Sequence, residues 1–539
     1  MPLVRKLLIA LGVATFIYLL VLLVWGPAPF AFSFDDAFYY FTIGRNWASG
    51  HVSTFDQIDR TNGYHPLWQL ISTVPYLLGL DGLAAVRFLL VLQLVLWAGA
   101  MALVARVIVD AIGGWTRLDA HPASRRFCDG VVVVAFIVVV ANPFIFKMTV
   151  NGLESGLVVP VGAALIALAV TFRGRFVTQA TSRQRWYTGG LLALAFLART
   201  DAVILLAPLG LWCLFDAGKP PLPWSRRLRH IVEIFVVPAL VIVTYLVVNQ
   251  IFFGTAMQIS GSIKRLPLTP LRGALVVVWA TLGLALLLAA RRPIKRSTRA
   301  PLVRKFFAAT AWYGAFCIGL LGYYSTLQEV PYLWYFAPLA LYGTFLIVLA
   351  VADLAEGAVV EAAQSSKPER SLATRAPALT LCVPLVVGLA WSVPSILDPG
   401  ARALMVHDAA AGRWIDTHLP PEARVASWDA GTLGYFANRQ VVNLDGVVNS
   451  LDWYEALQNG RTADFLAARD VGWVANHGGE VNSRDPDIDR QIRALFGGDR
   501  IDAITVVYGD VYAFSGTLDG SRTDTSTKRM GTWVYRLDR

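Results

Sequence analysis

Two adjacent carboxylates, Asp35 and Asp36, follow the first long apolar segment of this 539-residue chain. The run from Leu7 to Trp25 contains no charged residue, so it predicts a membrane helix and puts the acid pair at a membrane surface. Ionisable groups in such a setting are costly and usually serve a function. A carboxylate with a suitable pKa can remove a proton from a hydroxyl within hydrogen-bond reach. The pair is therefore a candidate acid–base centre, in which one carboxyl group can hold the proton for both.

The two acids differ in their structural alternatives. Ser33 and Asp36 have the spacing of a helix-start signature, in which Ser33 caps the helix and Asp36 completes the cap. This signature predicts a helix over residues 34–48. Asp35 has no comparable structural role. If only one of the two acids is the base, Asp35 is the better candidate.

A basic pair and a histidine are candidates for binding a phosphate. Lys264 and Arg265 stand together after a Gly-Ser turn. Arginine offers bidentate donors to a phosphate and lysine offers a point charge. The alternative is ordinary anchoring of long cationic side chains at the membrane interface. His65 is a base, a phosphate-binding donor or a histidine that is satisfied within its loop.

Four further residues belong to polar segments that we expect on the same side of the membrane. Glu154 is either a site residue or a cap at the start of a helix. Arg199 and Asp201 are close enough in sequence to form an ion pair, to belong to the site, or both. Tyr335 lies in an aromatic group near the start of a later apolar run. The sequence has no HExxH motif, no Cys/His metal spacing and no Gly-rich phosphate loop, so we expect no metal ligands and no bound cofactor.

The composition indicates a membrane protein. The chain is 56% hydrophobic and 16% charged, whereas soluble proteins carry about 25% charged residues. Its net charge is +10. The basic residues gather in short loops between apolar runs, where they orient a membrane protein, so we expect membrane lipids and no nucleic acid as partners.

The fold class predicted from the apolar runs is a polytopic α-helical membrane protein with about eleven membrane helices. The basic loops predict a cytoplasmic N-terminus and an external C-terminal domain. A first external loop covers residues 26–83 and contains, besides the helix over 34–48, an interfacial helix that begins at Pro66. Residues 353–376 are predicted as a flexible cytoplasmic loop. The predicted spans are residues 1–25, 84–109, 129–147, 154–172, 187–199, 201–217, 231–253, 271–290, 305–323, 333–352 and 377–394.

Two domains are predicted, a transmembrane catalytic domain over residues 1–395 and a soluble α/β periplasmic domain over residues 396–539. The candidate site residues all fall on the external side. The interiors of the spans contain almost no ionisable residues, which favours a surface cleft over a transport pathway. In the C-terminal domain, strand-like and helical runs alternate. The predicted strands are 424–428 and 441–444, the helices 403–417, 461–469 and 487–496, and the closing hairpin or sheet edge 504–508 and 532–535.

An ordered set of motifs resembles bacterial membrane glycosyltransferases of the GT-C superfamily, and in particular arabinofuranosyltransferase-like members with an acidic pair in the first external loop. The resemblance covers most of residues 1–350. One departure is Gln258, which stands where related sequences often have proline. The motifs are FDDAFYYFTIGRNWASG, TNGYHPLW, NGLESGL, ARTDA, FGTAMQISGSIK and WYFAPL.

The resemblance implies a hexosyl- or pentosyltransferase in a bacterial inner membrane. Such an enzyme moves a sugar from a polyprenyl-phosphate donor to a glycan or lipid acceptor on the periplasmic face, with inversion and without a catalytic metal. The resemblance implies that Asp35, with Asp36 beside it, is the catalytic base. It implies that the donor phosphate is held by basic residues of the external loops, namely Lys264, Arg265, His65 and Arg199.

Two other classes of function stay open at this point. A transporter or flippase of a lipid-linked sugar also needs a lipid groove and a phosphate site, but it does not need Asp35 or Asp36. A non-catalytic envelope assembly factor would bind a partner through its external domain. It would need neither acid nor Lys264.

Overall fold

The N-terminal part of the chain folds into a bundle of long apolar helices. The computed structural model describes residues 2–113, 122–216, 222–291, 301–328, 332–364, 400–480, 486–514 and 528–539. Short 3₁₀ segments, Thr200–Leu205 and Leu333–Phe336, lead into α10 and α15 of the following series. The helices of this part are α1 Leu3–Val24, α2 Ala28–Phe32, α3 Asp35–Ala48, α4 Pro66–Leu77, α5 Gly82–Ile112, α6 Pro122–Val140, α7 Pro143–Lys147, α8 Ser155–Thr171, α9 Ser182–Ala198, α10 Leu206–Leu214, α11 Trp224–Phe253, α12 Ile259–Ile263, α13 Pro270–Ala290, α14 Leu302–Leu327 and α15 Ala337–Gln364.

Six helices among the described residues are long and apolar enough to cross a membrane, namely α1, α5, α11, α13, α14 and α15 with its 3₁₀ segment. Helix α8 and the segment Thr200–Leu214 are apolar but shorter. Each predicted span within the described ranges overlaps helical structure, but some of them are divided: 129–147 falls on α6 and α7, and the described part of 201–217 falls on the 3₁₀ segment Thr200–Leu205 and α10. The predicted class of multi-pass helical membrane protein is therefore confirmed. The predicted span 377–394 lies outside the described residues, and the total of about eleven stays a prediction.

The segment between α1 and α5 contains both predicted helices, α3 and α4. The predicted cap, however, is wrong. Ser33 closes α2 instead, because its N–H donates to the Pro29 carbonyl at 3.0 Å. Asp35 and Asp36 are the first two residues of α3, where the positive end of the helix dipole favours carboxylates.

Helix α15 continues to Gln364, so the prediction of a flexible loop over 353–376 is wrong for its described part. Alanine and glutamate, which are frequent here, favour helix. Val359 is buried in the bundle. Asp353 accepts the backbone N–H groups of Leu302 and Val303 at 2.7 and 3.0 Å, which ties α15 to the start of α14.

The described residues from 400 onward form an α/β domain, as predicted. Its described strands form one sheet in the order β2-β1-β3-β5-β4, in which β1 is parallel to β2 and β3, and β5 is antiparallel to β3 and β4. The predicted strands and closing hairpin are confirmed, whereas β3 was not predicted. The predicted boundary at 395/396 lies outside the described residues. The elements are α16 Gly400–His418, β1 Arg424–Ser427, α17 Gly431–Ala437, β2 Gln440–Asn443, α18 Leu451–Gln458, α19 Thr462–Ala468, β3 Trp473–Glu480, α20 Pro486–Phe496, β4 Ala503–Phe514 and β5 Lys528–Asp538.

The C-terminal domain packs on the part of the bundle that carries the acid pair. Helix α17 lies against α3, and Arg45 of α3 donates to the Tyr435 carbonyl at 2.9 Å. The two parts of the chain approach each other closely at Gly63, where an added Cβ atom would lie 1.9 Å from the Val447 carbonyl oxygen. This contact requires glycine. The domain therefore covers the loop between α1 and α5.

Candidate active site

A chamber lies between α3, α12, the start of α8 and the C-terminal domain. It contains about 500 Å³ of empty space. Carboxylates, cations and aromatic rings share its wall, which suits a polar ligand that also presents apolar faces. The lining residues are Asp36, Tyr39, Tyr40, Gly63, Tyr64, His65, Leu153, Glu154, Ser260, Lys264, Trp334, Tyr335, Val447 and Val448.

Asp36 and Lys264 form the charged pair of the chamber. Asp36 Oδ2 and Lys264 Nζ are 3.7 Å apart, and the two side chains are 31% and 24% exposed. Burial raises the pKa of Asp36 above its ordinary value, and the positive charge of Lys264 opposes that rise. Lys264 Nζ also lies 5.0 Å from the centre of the Tyr332 ring. Asp36 is therefore a carboxylate with a raised pKa that a ligand in the chamber can reach.

Asp35 lies outside the chamber lining and contacts the C-terminal domain. Its carboxylate oxygens accept the backbone N–H of Thr432 at 2.7 Å and that of Gly431 at 3.0 Å, at the start of α17. Burial raises the pKa of Asp35 well above its ordinary value, and the negative charge of Asp429 adds to the rise. A Cβ atom on Gly431 would lie 2.2 Å from the Asp35 carbonyl oxygen. Asp35 thus fastens the C-terminal domain to α3.

Glu154, Arg199 and Asp201 form one buried network. Arg199 pairs with Glu154 through Nη1 and with Asp201 through Nη2, the latter at 2.7 Å. The Tyr40 hydroxyl donates to Glu154 at 3.0 Å. The Tyr324 hydroxyl accepts from Arg199 at 2.7 Å and donates to Asp201. Burying these charges is costly unless each is paired and hydrogen-bonded. Here each charged group has an opposite charge and a tyrosine hydroxyl as partners, so the network fixes the chamber wall.

His65 lies where the chamber meets a second cavity. Its Nε2 is 3.7 Å from Glu154 Oε1, and its Nδ1 faces the backbone N–H of Thr200 at 3.3 Å. Burial lowers the pKa of His65 below its ordinary value. The ring is therefore neutral near pH 7.

The second cavity, which we call the side recess, extends from the chamber between the 3₁₀ segment Thr200–Leu205, α12 and α14. It contains about 1190 Å³ of empty space and shares His65, Ser260, Lys264 and Tyr335 with the chamber. Basic residues stand at the shared end, and apolar side chains line other parts. The remaining lining residues are Arg199, Thr200, Asp201, Val203, Ile204, Met257, Gln258, Gly261, Ser262, Arg265, Tyr323, Tyr324 and Gln328.

The structure brings eight of the nine predicted site residues to these two cavities. Asp35 is the exception, and its role in the reaction stays a prediction. The lining residues that were not predicted include Val447 and Val448 of the C-terminal domain, and Gln258. The departure from proline at Gln258 was the available signal, whereas the two valines carry none. The nine predicted residues are Asp35, Asp36, His65, Glu154, Arg199, Asp201, Lys264, Arg265 and Tyr335.

Within the described ranges, no group of three or more histidine, cysteine, aspartate or glutamate residues is arranged to hold a metal ion. The expectation of metal-free chemistry stays a prediction.

Fold and cavities together define a multi-pass helical membrane protein with a charged chamber under an α/β domain. A family model described as "Domain of unknown function (DUF8728)" matches residues 400–522, which lie in the C-terminal domain. No curated protein matches the chain.

Three solved structures are similar at 13% identity each. An archaeal oligosaccharyltransferase, AglB from Archaeoglobus fulgidus in complex with an inhibitory peptide and a dolichol-phosphate, gives a TM-score of 0.49 over 87% of this chain and 69% of its own. ArnT from Cupriavidus metallidurans bound to undecaprenyl phosphate gives a TM-score of 0.42, and the match covers 92% of this chain and 93% of that one. The Archaeoglobus fulgidus oligosaccharyltransferase in complex with zinc and sulfate gives a TM-score of 0.46, and the match covers 96% of this chain and 72% of that one. At this level, the likeness alone assigns no activity.

Proposed function

We propose that this chain is a GT-C-type glycosyltransferase that uses a polyprenyl-phosphate sugar as donor. The motifs of residues 1–350 support the superfamily, and one feature of the structure supports the activity. A reachable carboxylate, Asp36, and a cation, Lys264, stand 3.7 Å apart in one chamber. Sugar transfer from a phosphate needs a base for the acceptor hydroxyl and a cation for the leaving phosphate, and the chamber offers both.

The reaction balances with these residues. The acceptor oxygen attacks the anomeric carbon from the face opposite the phosphate and gives its proton to Asp36. The bond between the anomeric carbon and the phosphate oxygen breaks, and its electron pair leaves with polyprenyl phosphate. Lys264 and Arg265 stabilise the negative charge that develops on that phosphate. The sugar is inverted at the anomeric carbon.

Asp36, rather than Asp35, is the proposed base. The sequence favoured Asp35 because Asp36 had a capping alternative, but that cap is not formed. Asp36 lines the chamber, while both carboxylate oxygens of Asp35 already accept backbone N–H groups. A general base must have a carboxylate lone pair within hydrogen-bond reach of the acceptor hydroxyl, and Asp36 is the acid that a ligand in the chamber can reach.

The side recess is the proposed site of the donor phosphate and the first part of its polyprenyl chain. Arg265 and Lys264 line it together with apolar Val203, Ile204 and Met257, so a charged head group and a hydrocarbon chain both find suitable surroundings. Helices α11 and α13 have only 17% and 11% of their most apolar segments buried. In this proposal their exposed apolar faces contact the bilayer lipids.

The chamber faces the external side in this proposal, because the basic loops predict that orientation. The acceptor is a glycan or a lipid of the cell envelope, and it enters beneath the C-terminal domain. The membrane is the inner membrane of a bacterium, with a cytoplasmic N-terminus. No bound cofactor takes part.

A deletion strain tests this function. We expect envelope glycans from the strain to lack a defined sugar by mass spectrometry, and we expect the sugar to return with the wild-type gene but not with the Asp36→Asn variant. Recovery with Asp36→Asn at wild-type protein levels would contradict the proposed chemistry and would favour a transporter or an assembly factor.

A further inference from the structure

The Nδ1 atom of His65 faces two hydrogen-bond donors. The backbone N–H of Thr200 is 3.3 Å away, and Nε2 of Gln258 is 3.1 Å away. A backbone amide can only donate, so Nδ1 must accept.

The orientation of the Gln258 amide agrees with this assignment. Its Nε2 also donates to the Tyr64 carbonyl, which can only accept. Its Oε1 accepts from the Thr200 hydroxyl at 2.9 Å. Reversing the amide would place an oxygen against the Tyr64 carbonyl oxygen. Gln258 is 5% exposed, so water cannot readily replace these contacts.

The backbone on both sides of Gln258 is fixed by one further side chain. Asn62 donates to the Met257 carbonyl at 3.1 Å and accepts the Ile259 N–H at 3.0 Å. Asn62 also donates to Asn249 of α11 at 2.8 Å. Gln258 is therefore held in one place.

With Nδ1 as an acceptor, the single proton of the neutral ring is on Nε2. A second proton on Nδ1 would point at two N–H donors, so the charged ring is disfavoured. The His65 side chain lines both the chamber and the side recess, as does Lys264. Nε2 of His65 is 3.7 Å from Glu154, which is longer than a hydrogen bond, so its proton can be donated to a ligand.

We propose that His65 is a neutral hydrogen-bond donor to the phosphate of the lipid-linked sugar, and that Gln258 is a positioning residue that fixes His65 in its Nε2–H form. The phosphate part of this inference rests on the proposed function, whereas the tautomer does not. His65 is not the base for the acceptor hydroxyl, because its lone pair points away from the chamber. A proline at position 258 could not supply the amide.

Nitrogen NMR of the full chain, labelled with ¹⁵N-histidine and embedded in nanodiscs, tests the tautomer without any substrate. The His65 signal is identified by its loss in His65→Gln. We expect a protonated Nε2 and an unprotonated Nδ1 between about pH 5 and pH 8, where an ordinary histidine changes its charge. His407 is an internal control, because its Nδ1 contacts the Asp510 carboxylate and must carry a proton. A protonated Nδ1 on His65 would overturn the inference.

Binding of polyprenyl monophosphate tests the role of the proton. We expect His65→Phe, which has no donor, to bind about 10- to 100-fold more weakly than wild type, and His65→Gln, which keeps an N–H donor, to recover part of the loss. Equal binding by wild type and His65→Phe would overturn the role of His65 at the phosphate. Absence of binding by wild type, with the expected tautomer, would instead overturn the proposed function and with it the phosphate role.

Two substitutions at Gln258 separate positioning from mere packing. Gln258→Glu places a carboxylate against Nδ1 and draws a proton onto it, so a histidine ionisation should enter the pH profile of binding and the NMR signal should change form. Gln258→Leu removes the contacts without a charge and should weaken binding without adding an ionisation. Identical pH profiles for the two variants would contradict the positioning role.

Discussion

The two adjacent acids should respond differently to the same substitution. Asp36→Asn removes the proposed base and leaves the contacts of the C-terminal domain in place. General-base catalysis contributes about 10²- to 10⁴-fold to a rate, which corresponds to about 2.7–5.4 kcal/mol. We therefore expect kcat for sugar transfer to fall by about that factor, while the thermal unfolding of the protein stays unchanged.

Asp35→Asn should have the opposite effect. Asn offers one oxygen where the carboxylate offers two, so either the Thr432 or the Gly431 N–H loses its acceptor and meets an NH₂ group instead. A buried donor left without a partner costs about 1–3 kcal/mol. We expect a lower unfolding temperature and faster proteolytic release of the C-terminal domain, with a smaller loss of kcat than in Asp36→Asn.

The assay follows release of polyprenyl phosphate by mass spectrometry, with purified protein in nanodiscs, a panel of polyprenyl-phosphate hexoses and pentoses, and envelope extract as acceptor. Asp81→Asn is a matched control, because Asp81 caps α5 outside the chamber by accepting the Gly82 N–H and Asn caps a helix equally well. The assignment is refuted if Asp36→Asn retains transfer while Asp35→Asn loses it without any loss of stability.

Three further predictions follow from the same contacts. First, transfer should decline at low pH as Asp36 is protonated. The Lys264→Met variant should show this decline at higher pH, because the positive charge of Lys264 lowers the pKa of Asp36. An unchanged pH profile of kcat at saturating donor would contradict the pairing. Second, Arg199→Met leaves the buried Glu154 with an unpaired charge and should lower the free energy of unfolding by about 3–5 kcal/mol. Adding Glu154→Gln should restore part of the lost stability in thermal unfolding. If the double variant is no more stable than Arg199→Met, the ion pair between Arg199 and Glu154 is not the cause. Third, Gly63→Ala puts a Cβ atom 1.9 Å from the Val447 carbonyl oxygen and should displace the C-terminal domain. We expect slower sugar transfer and faster proteolysis of this variant. Gly26→Ala is the control, because nothing lies within 4 Å of a Cβ atom there, and it should behave as wild type.

Much of the fold was predictable because it depends on local sequence. Apolar runs of bilayer length locate the bundle helices, and alternating runs locate β1, β2 and the β4–β5 hairpin. Strand β3 was missed, since Trp473–Glu480 contains Asn, His and two Gly residues, which disfavour strands. It forms because β1 and β5 flank it and pair with it on both sides.

Most of the residues that line the site were predictable from the sequence, but the role of each acid was not. The loops that carry the expected charges lie together because the topology gathers them at one end of the bundle. The role of Asp35 depends on partners that lie 396 and 397 residues away in the chain, Gly431 and Thr432. A local sequence pattern carries no signal for such contacts. Here the local pattern predicted that Ser33 caps α3, whereas Ser33 ends α2.

The contribution of the C-terminal domain to the chamber is also a long-range effect. Val447 reaches the chamber only because Gly63 has no side chain and Gly446 adopts φ +79° beside Ile263 and Trp453. Glycines are common in loops, so neither one could be distinguished in the sequence.

The most direct test of the proposed function is the fate of a polyprenyl-phosphate sugar given to the purified wild-type protein in nanodiscs with envelope extract. The account predicts release of polyprenyl phosphate and a new glycosidic bond whose anomeric configuration, read by NMR of the product, is opposite to that of the donor. Recovery of the donor intact, or a product with retained configuration, would contradict it.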